Sequence, residues 1–195
     1  MDDQKQKEHW DSKYEQGLPF LTMPDPFFIY AHDRFVEPSF PNAGVALDLA
    51  CGLGRHALWL AGRNWRVCGV DLSDVAIGKL NQSALGLNVH LDLSVGDASE
   101  YRFSPTRFDL IVLFYHADRS LFSKLVAGLN PGGLLICKLS IGWDTNARST
   151  VAASDPLNRN ELPTILQELC VLHHQERPVR DRGVVDFAGK KRIQV

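Results

Sequence analysis

The sequence predicts a doubly wound α/β fold, a mostly parallel sheet with helices on both faces, from three observations. From Val45 to about Ser140, short apolar runs alternate with helical stretches, the βαβ pattern of a parallel sheet buried on both faces. A glycine turn, Gly52-Leu53-Gly54, stands where the first strand gives way to a helix. Near the C-terminus, two apolar runs are joined by a connection too short for a crossover, which marks an antiparallel hairpin.

The chain has 195 residues, 45% hydrophobic and 23% charged, with 21 Lys+Arg against 23 Asp+Glu. That balance fits one soluble domain over residues 1–195 and excludes low-complexity disorder. It also speaks against nucleic-acid binding, which shows a basic excess. No apolar run approaches the ~18 residues of a membrane span, and the start MDDQKQKEHW lacks a basic-then-apolar signal. The expectation is a cytoplasmic protein, monomer or homodimer, with no membrane partner. None of Cys51, Cys68, Cys137 and Cys170 forms a C-x-x-C pair, so no metal site is expected, and the last three read as thiols packed as small hydrophobes.

Residues 2–16 read as a polar helix ended by Gly17, and a second helix over Phe27–Val36 stops before Pro38 and Pro41. Five strands follow at Val45–Leu49, Arg66–Val70, Val89–Leu93, Phe108–Phe114 and Gly133–Leu139, with helices at 54–62, 73–86 and 118–128 between them. Residues 141–160 read as a loop, Glu161–Leu169 as a helix, and Val171–Glu176 and Gly183–Lys190 as the hairpin, with one of its strands reversed.

The segment VALDLACGLGRHALWLA, residues 45–61, carries the strongest functional signal. Glycines at a strand-to-helix bend let a ligand approach the main chain, and the helix N-terminus offers it unpaired N–H groups. Gly52-x-Gly54-x-x-Ala57 satisfies a dinucleotide fingerprint, with Asp71 about where a ribose-binding acid belongs. Asp48 opposes that reading. A carboxylate four residues before Gly52 repels a pyrophosphate and suits the ammonium and sulfonium groups of S-adenosylmethionine. Asp71 ends the second strand, placed for two ribose hydroxyls, and Asp97 in SVGDAS follows the third, placed for an adenine amino group. Cys51 offers its backbone to the ligand rather than its sulfur.

With VCGVDLS, SVGDAS, FDLIVLFYHADRSLF and LNPGGLLICKLS, residues 45–140 resemble the class I S-adenosylmethionine-dependent methyltransferases. Within them the chain is similar to the small bacterial tellurite-resistance-type branch, of methyltransferase type 11–12. The resemblance implies a Rossmann-like seven-stranded sheet with a reversed seventh strand. It implies S-adenosyl-L-methionine as cofactor, a core over 45–140, and a substrate loop, helix and hairpin over 141–195. Implied cofactor contacts are Asp48, Gly52, Gly54, Asp71, Asp97 and Phe114, to which the neighbours Ala50, Cys51, Arg55, Leu72 and Ala98 are joined. The pattern W-D-x-x-Y-x-x-G, with Trp10 and Tyr14, implies that residues 1–44 form a helical lid over the cofactor. Two departures stand out: His56 takes the third glycine position, and Phe114-Tyr115-His116-Ala117 replaces the motif of enzymes that methylate base or glutamine amino groups.

The expected activity is methyl transfer to a small acceptor, a thiol, metalloid oxyanion or other nucleophile, since so short a chain leaves no room for a recognition domain. His116 and Tyr115 are the candidate bases, with His32 behind them, for a nucleophile that must lose a proton. Arg34, Arg119, Arg148 and Arg180 are candidates to steer an anion. The pair His173-His174 alternates across a strand and reads as structural. An NAD(P)-dependent oxidoreductase and a non-catalytic binding subunit of the same fold are the alternatives.

Overall fold

In the computed structural model, which describes residues 3–17, 22–143, 156–179 and 182–193, seven strands form one sheet in the order β3-β2-β1-β4-β5-β7-β6. They are β1 Val45–Leu49, β2 Arg66–Asp71, β3 Leu91–Val95, β4 Phe108–Phe114, β5 Leu129–Ile141, β6 Leu169–Val179 and β7 Arg182–Lys191. β1 to β5 pair in parallel, and β7 runs antiparallel to both β5 and β6. The seventh strand is therefore the reversed one.

Helices cover both faces. On one, α2 (Pro26–Ala31), α4 (Arg55–Ala61) and α5 (Asp74–Gly86) bury Phe28, Leu60 and Leu80 against Ala46, Leu110 and Ile136. On the other, α6 (Arg119–Gly128) and α7 (Glu161–Ile165) bury Leu121, Phe122 and Leu162 against Leu47, Ile111 and Leu135. α1 (Asp3–Glu15) lies along α5, tied by Lys7 to Asp74 at 2.8 Å and by Lys79 to the Tyr14 carbonyl at 2.5 Å.

The chain winds from β1 outward to β3, then returns to lay β4 on the other side of β1. The strand order puts the topological switch point between the carboxyl ends of β1 and β4, where connections leave in opposite directions and open sheets form a crevice. Open α/β sheets bind ligands at such a switch point.

Several expected boundaries move. The second helix does not stop before Pro38. It passes through a π-turn, His32–Val36, into a last turn, α3 (Glu37–Ser39), which contains Pro38. The helix expected over Glu161–Leu169 ends at Ile165 with Pro163 inside it, and Leu169 already belongs to β6. β3 starts two residues late, after Asn88 turns the chain at φ 54°. β5 begins at Leu129, because a register shift beside Phe108 takes the Asn-Pro-Gly-Gly stretch into the strand. Cys68 and Cys137 are buried free thiols as expected, and Cys51 is buried too, but Cys170 is exposed, being on the edge strand β6. Most of the expected loop over 141–160, with Arg148, lies outside the described residues, as does Arg180.

Candidate active site

The turn after β1 is built on left-handed backbone at Ala50, Gly52 and Gly54, with φ of 55°, 55° and 73°. Glycine is required twice over. A Cβ on Gly54 would stand 2.2 Å from Leu80 Cδ1, and one on Gly52 would stand 2.7 Å from the Tyr14 hydroxyl. The turn thus brings α4 down onto α5 and receives α1 from above.

Two buried acids hold it. Asp48 Oδ2 accepts the Ala57 N–H at 3.0 Å, inside the first turn of α4, while Oδ1 takes no hydrogen bond from a described residue. Burial, with help from the Asp71 charge, raises its pKa to about 7 against the opposing Ala57 N–H and Arg55 charge. Asp71 accepts the Gly52 N–H at 2.7 Å through Oδ2 and the Ser73 N–H at 3.0 Å through Oδ1. Burial also raises its pKa, against those two bonds and the His116 charge. Ser73, capping α5, donates to Asp11 at 2.5 Å.

Tyr14, buried, stands over this pair, and burial beside Asp71 and Cys51 raises its pKa. Trp10 stacks on Tyr14 with centroids 6.0 Å apart. Leu72 is half-buried between Asp71 and the cap. Asp97, at the end of β3, caps a 3-10 turn through Ser99 N–H at 2.6 Å with Ala98 buried beneath. Cys51 is buried, its thiol pKa pushed far up by burial, and its N–H is given to Val70. Trp10, Tyr14, Asp48, Cys51, Gly52 and Asp71 thus come together, with Asp97 two strands away.

Past β4 the neighbouring side chains diverge. His116 is half-buried within electrostatic reach of Asp71, its Nε2 buried and unpartnered among the described residues. Tyr115, at φ 60°, is exposed and turns the other way, its hydroxyl 3.5 Å from Asp25 Oδ2. Arg55 lies on that same side, 3.9 Å from Asp25 and 5.8 and 5.9 Å from the rings of Phe114 and Tyr115. His32 is two turns down the helix from Asp25, packed on Trp59 and paired with Asp33. Arg119 is bonded to Glu161 through two nitrogens, at 2.6 and 2.8 Å, and Arg34 is exposed. His173 and His174 face opposite sides of β6, toward Phe27 and Phe187.

A buried polar cluster adjoins Tyr115 that sequence reasoning missed. Asp25, the N-cap of α2, ion-pairs with Lys138 of β5, which also lies 3.4 Å from Asp186 of β7. Arg177 donates to Asp186 at 2.8 Å. All three central residues are at most 5% exposed. Burial works to raise the Asp25 pKa, but Lys138, the Phe27 N–H and the Arg55 charge outweigh it and hold the carboxyl below its ordinary value. His56 accepts the Asp25 N–H at 3.3 Å, its pKa lowered by burial to about 3. The residue in the third glycine position therefore anchors the α2 cap. The signals were present: a lysine inside LLICKLS and an aspartate inside VVDFA are charges in central strands, and Asp25-Pro26 is a cap before a helix-starting proline.

Comparison with known proteins agrees with this fold. A family model described as a methyltransferase domain matches residues 46–133. TehB from Haemophilus influenzae superposes with a TM-score of 0.72 at 17% identity, over 94% of this chain and 67% of that one. The chain has the α/β fold that TehB shows. A SAM-dependent methyltransferase from Methanosarcina mazei gives 0.66 at 18% identity, over 83% and 98%. Among curated relatives, carboxy-S-adenosyl-L-methionine synthase from Shewanella sp. (strain MR-7) is 32% identical over 123 residues, 57% of this chain and 49% of its own length. The chain spans about half the length of most of the curated relatives it matches. Among the described residues, no helix of this methyltransferase-fold chain is long and apolar enough to cross a membrane.

Proposed function

We propose that the chain binds S-adenosylmethionine in the β1–β4 crevice and transfers its methyl group to a small-molecule acceptor. The carrying observation is the stacked arrangement of Asp48, Gly52 and Asp71 at the switch point, with one Asp48 oxygen unspent. A dinucleotide would bring its pyrophosphate onto a helix N-terminus where Asp48 already sits, so the oxidoreductase alternative is disfavoured. In this reading Asp48 pairs with the cationic end of the cofactor, Asp71 holds the ribose, and Asp97 receives the adenine. Trp10, Tyr14, Ala50, Cys51, Gly54, Leu72, Ala98 and Phe114 enclose it, and α1 is the lid. When bound, the cofactor supplies an electrophilic methyl on a sulfonium. The protein's own work is alignment and exclusion of water. Tyr115, backed by Asp25, and His116 are the groups that would take a proton from a protic acceptor. A cytoplasmic monomer or homodimer without nucleic-acid partners fits the charge balance.

Calorimetric titration with S-adenosylmethionine and S-adenosylhomocysteine tests this. Saturable binding of both is expected; no heat and no thermal shift at millimolar ligand overturns it. Asp71→Ala is expected to weaken binding by about 1–3 kcal/mol, from unpaired ribose hydroxyls and a loosened Gly52 turn; an unchanged affinity removes Asp71 from the site.

The similarity to carboxy-S-adenosyl-L-methionine synthase favours a second reading, in which a carboxylic-acid donor modifies the cofactor itself. Mass spectrometry of the spent cofactor separates them: a demethylated product for methyl transfer, a carboxylated one for the alternative.

A further inference from the structure

Strand order fixes where an acceptor must stand. A cofactor lying across Asp97, Asp71 and Asp48 runs from the end of β3 to β1, so its reactive end faces β4 and then β5. The groups there are Tyr115, Arg55, Asp25 and Lys138. Their hydrogen-bonding capacity is unevenly used. Lys138 is committed to Asp25 and Asp186, and Arg177 to Asp186. Asp25 is met by Lys138, the Phe27 N–H and the Tyr115 hydroxyl.

Arg55 is the exception. Its side chain is 14% exposed, yet its guanidinium donates no hydrogen bond to a described residue, and its nearest carboxylate oxygen is 3.9 Å away. A guanidinium carries five N–H donors in a planar fork, and leaving them unmet in a half-dry site is costly. The fork lies about 6 Å from the rings of Phe114 and Tyr115, flanking it with flat, apolar walls. Lys138 and Arg177 spend their charge on Asp25 and Asp186, whereas Arg55 feels Asp25 and Asp48 only at a distance, so its fork is open to a further anion.

We propose that Arg55 anchors an anionic group of the methyl acceptor, which makes the acceptor a small carboxylate or inorganic oxyanion. This rests on the methyltransferase reading, and reassigns Arg55 from the cofactor to the acceptor side of the crevice. A planar carboxylate meets the fork through two parallel bonds, which a lysine at the same place cannot form. The tyrosine hydroxyl beside it orients the remainder of the acceptor.

The test uses the full chain saturated with S-adenosylhomocysteine and titrated with malonate in one arm and selenite in the other, so that carboxylate and inorganic oxyanion are told apart. At least one is expected to bind wild type. Arg55→Gln is expected to weaken that binding tenfold or more while S-adenosylhomocysteine affinity changes less than threefold, and Arg55→Lys to recover part of the loss. Equal anion binding by wild type and Arg55→Gln overturns the proposal, as does absence of anion binding in both arms. A matching loss of S-adenosylhomocysteine affinity in Arg55→Gln also overturns it, returning Arg55 to the cofactor. No S-adenosylhomocysteine binding by wild type overturns the methyltransferase reading and this proposal together.

Discussion

Asp48→Asn is expected to stabilise the ligand-free protein at pH 8 while weakening S-adenosylmethionine binding tenfold or more. The Asp48 carboxyl is buried, and its pKa is raised to about 7 from an ordinary 3.8. Between those values the folded chain holds a proton that the unfolded chain has released. For a group raised in this way, stability is fully present below the unfolded pKa and is lost as pH rises through the folded one. The penalty above pH 7 is on the order of 4 kcal/mol. Asparagine keeps an acceptor for the Ala57 N–H without the charge, so the variant escapes the penalty. It also loses the anion that the proposed reading sets against the ammonium and sulfonium groups. Thermal melts at pH 5.5 and 8.5 check the first half: wild type is expected to lose stability between them more steeply than Asp48→Asn. Calorimetry checks the second, and wild-type affinity is expected to rise with pH toward neutrality as the carboxylate forms. A variant that binds as wild type does would remove Asp48 from the cofactor site.

Asp25 pulls the other way. Its pKa is held below the ordinary value, so its contribution is present above that value and lost as pH falls through the folded pKa. The two acids, on one face of the sheet, therefore penalise opposite ends of the pH range.

How much of this was legible depended on how local each signal was. β1 and β4 carry the expected bounds because each is an apolar run closed by a polar turn. The glycine turn and the acids ending β1, β2 and β3 lie next to the patterns that announce them, so the residues of the proposed cofactor half could be named from local sequence. The acceptor half could not. Asp25 and Lys138 are 113 residues apart and meet only because α2 packs on β5. The π-turn at His32–Val36 has no periodicity signal of its own, and a single proline, Pro38, pointed to a helix end where the helix had room for it. Arg55 is named as a cofactor contact from its place beside the turn, but the direction of its side chain, toward Asp25, Phe114 and Tyr115, depends on tertiary contacts that local sequence does not carry.

Lys138→Met is expected to cost about 3–5 kcal/mol of folding stability, because it strips the cation from two buried carboxylates. Methionine matches the aliphatic stem, so lost charge rather than lost volume is what the substitution measures. Lys138 sits level with Phe114 and Asp186 across three strands, and Asp25 and Asp186 are both buried. Asp25 keeps the Phe27 N–H and Asp186 keeps Arg177, and neither replaces the shared ammonium between them. Urea denaturation of the single variant, and of Lys138→Met combined with Asp25→Asn, separates the terms. The double variant is expected to recover part of the loss, since it removes one of the stranded charges, whereas additive losses would mean that the two residues are not coupled. A single-variant loss under about 1 kcal/mol would place Lys138 among exposed ion pairs and contradict its burial. Because the same lysine fixes Asp25 beneath Tyr115, the folded variant at low temperature is expected to keep its affinity for S-adenosylhomocysteine and to lose anion binding. On the proposed reading, the same cluster then closes the core and shapes the acceptor side of the crevice.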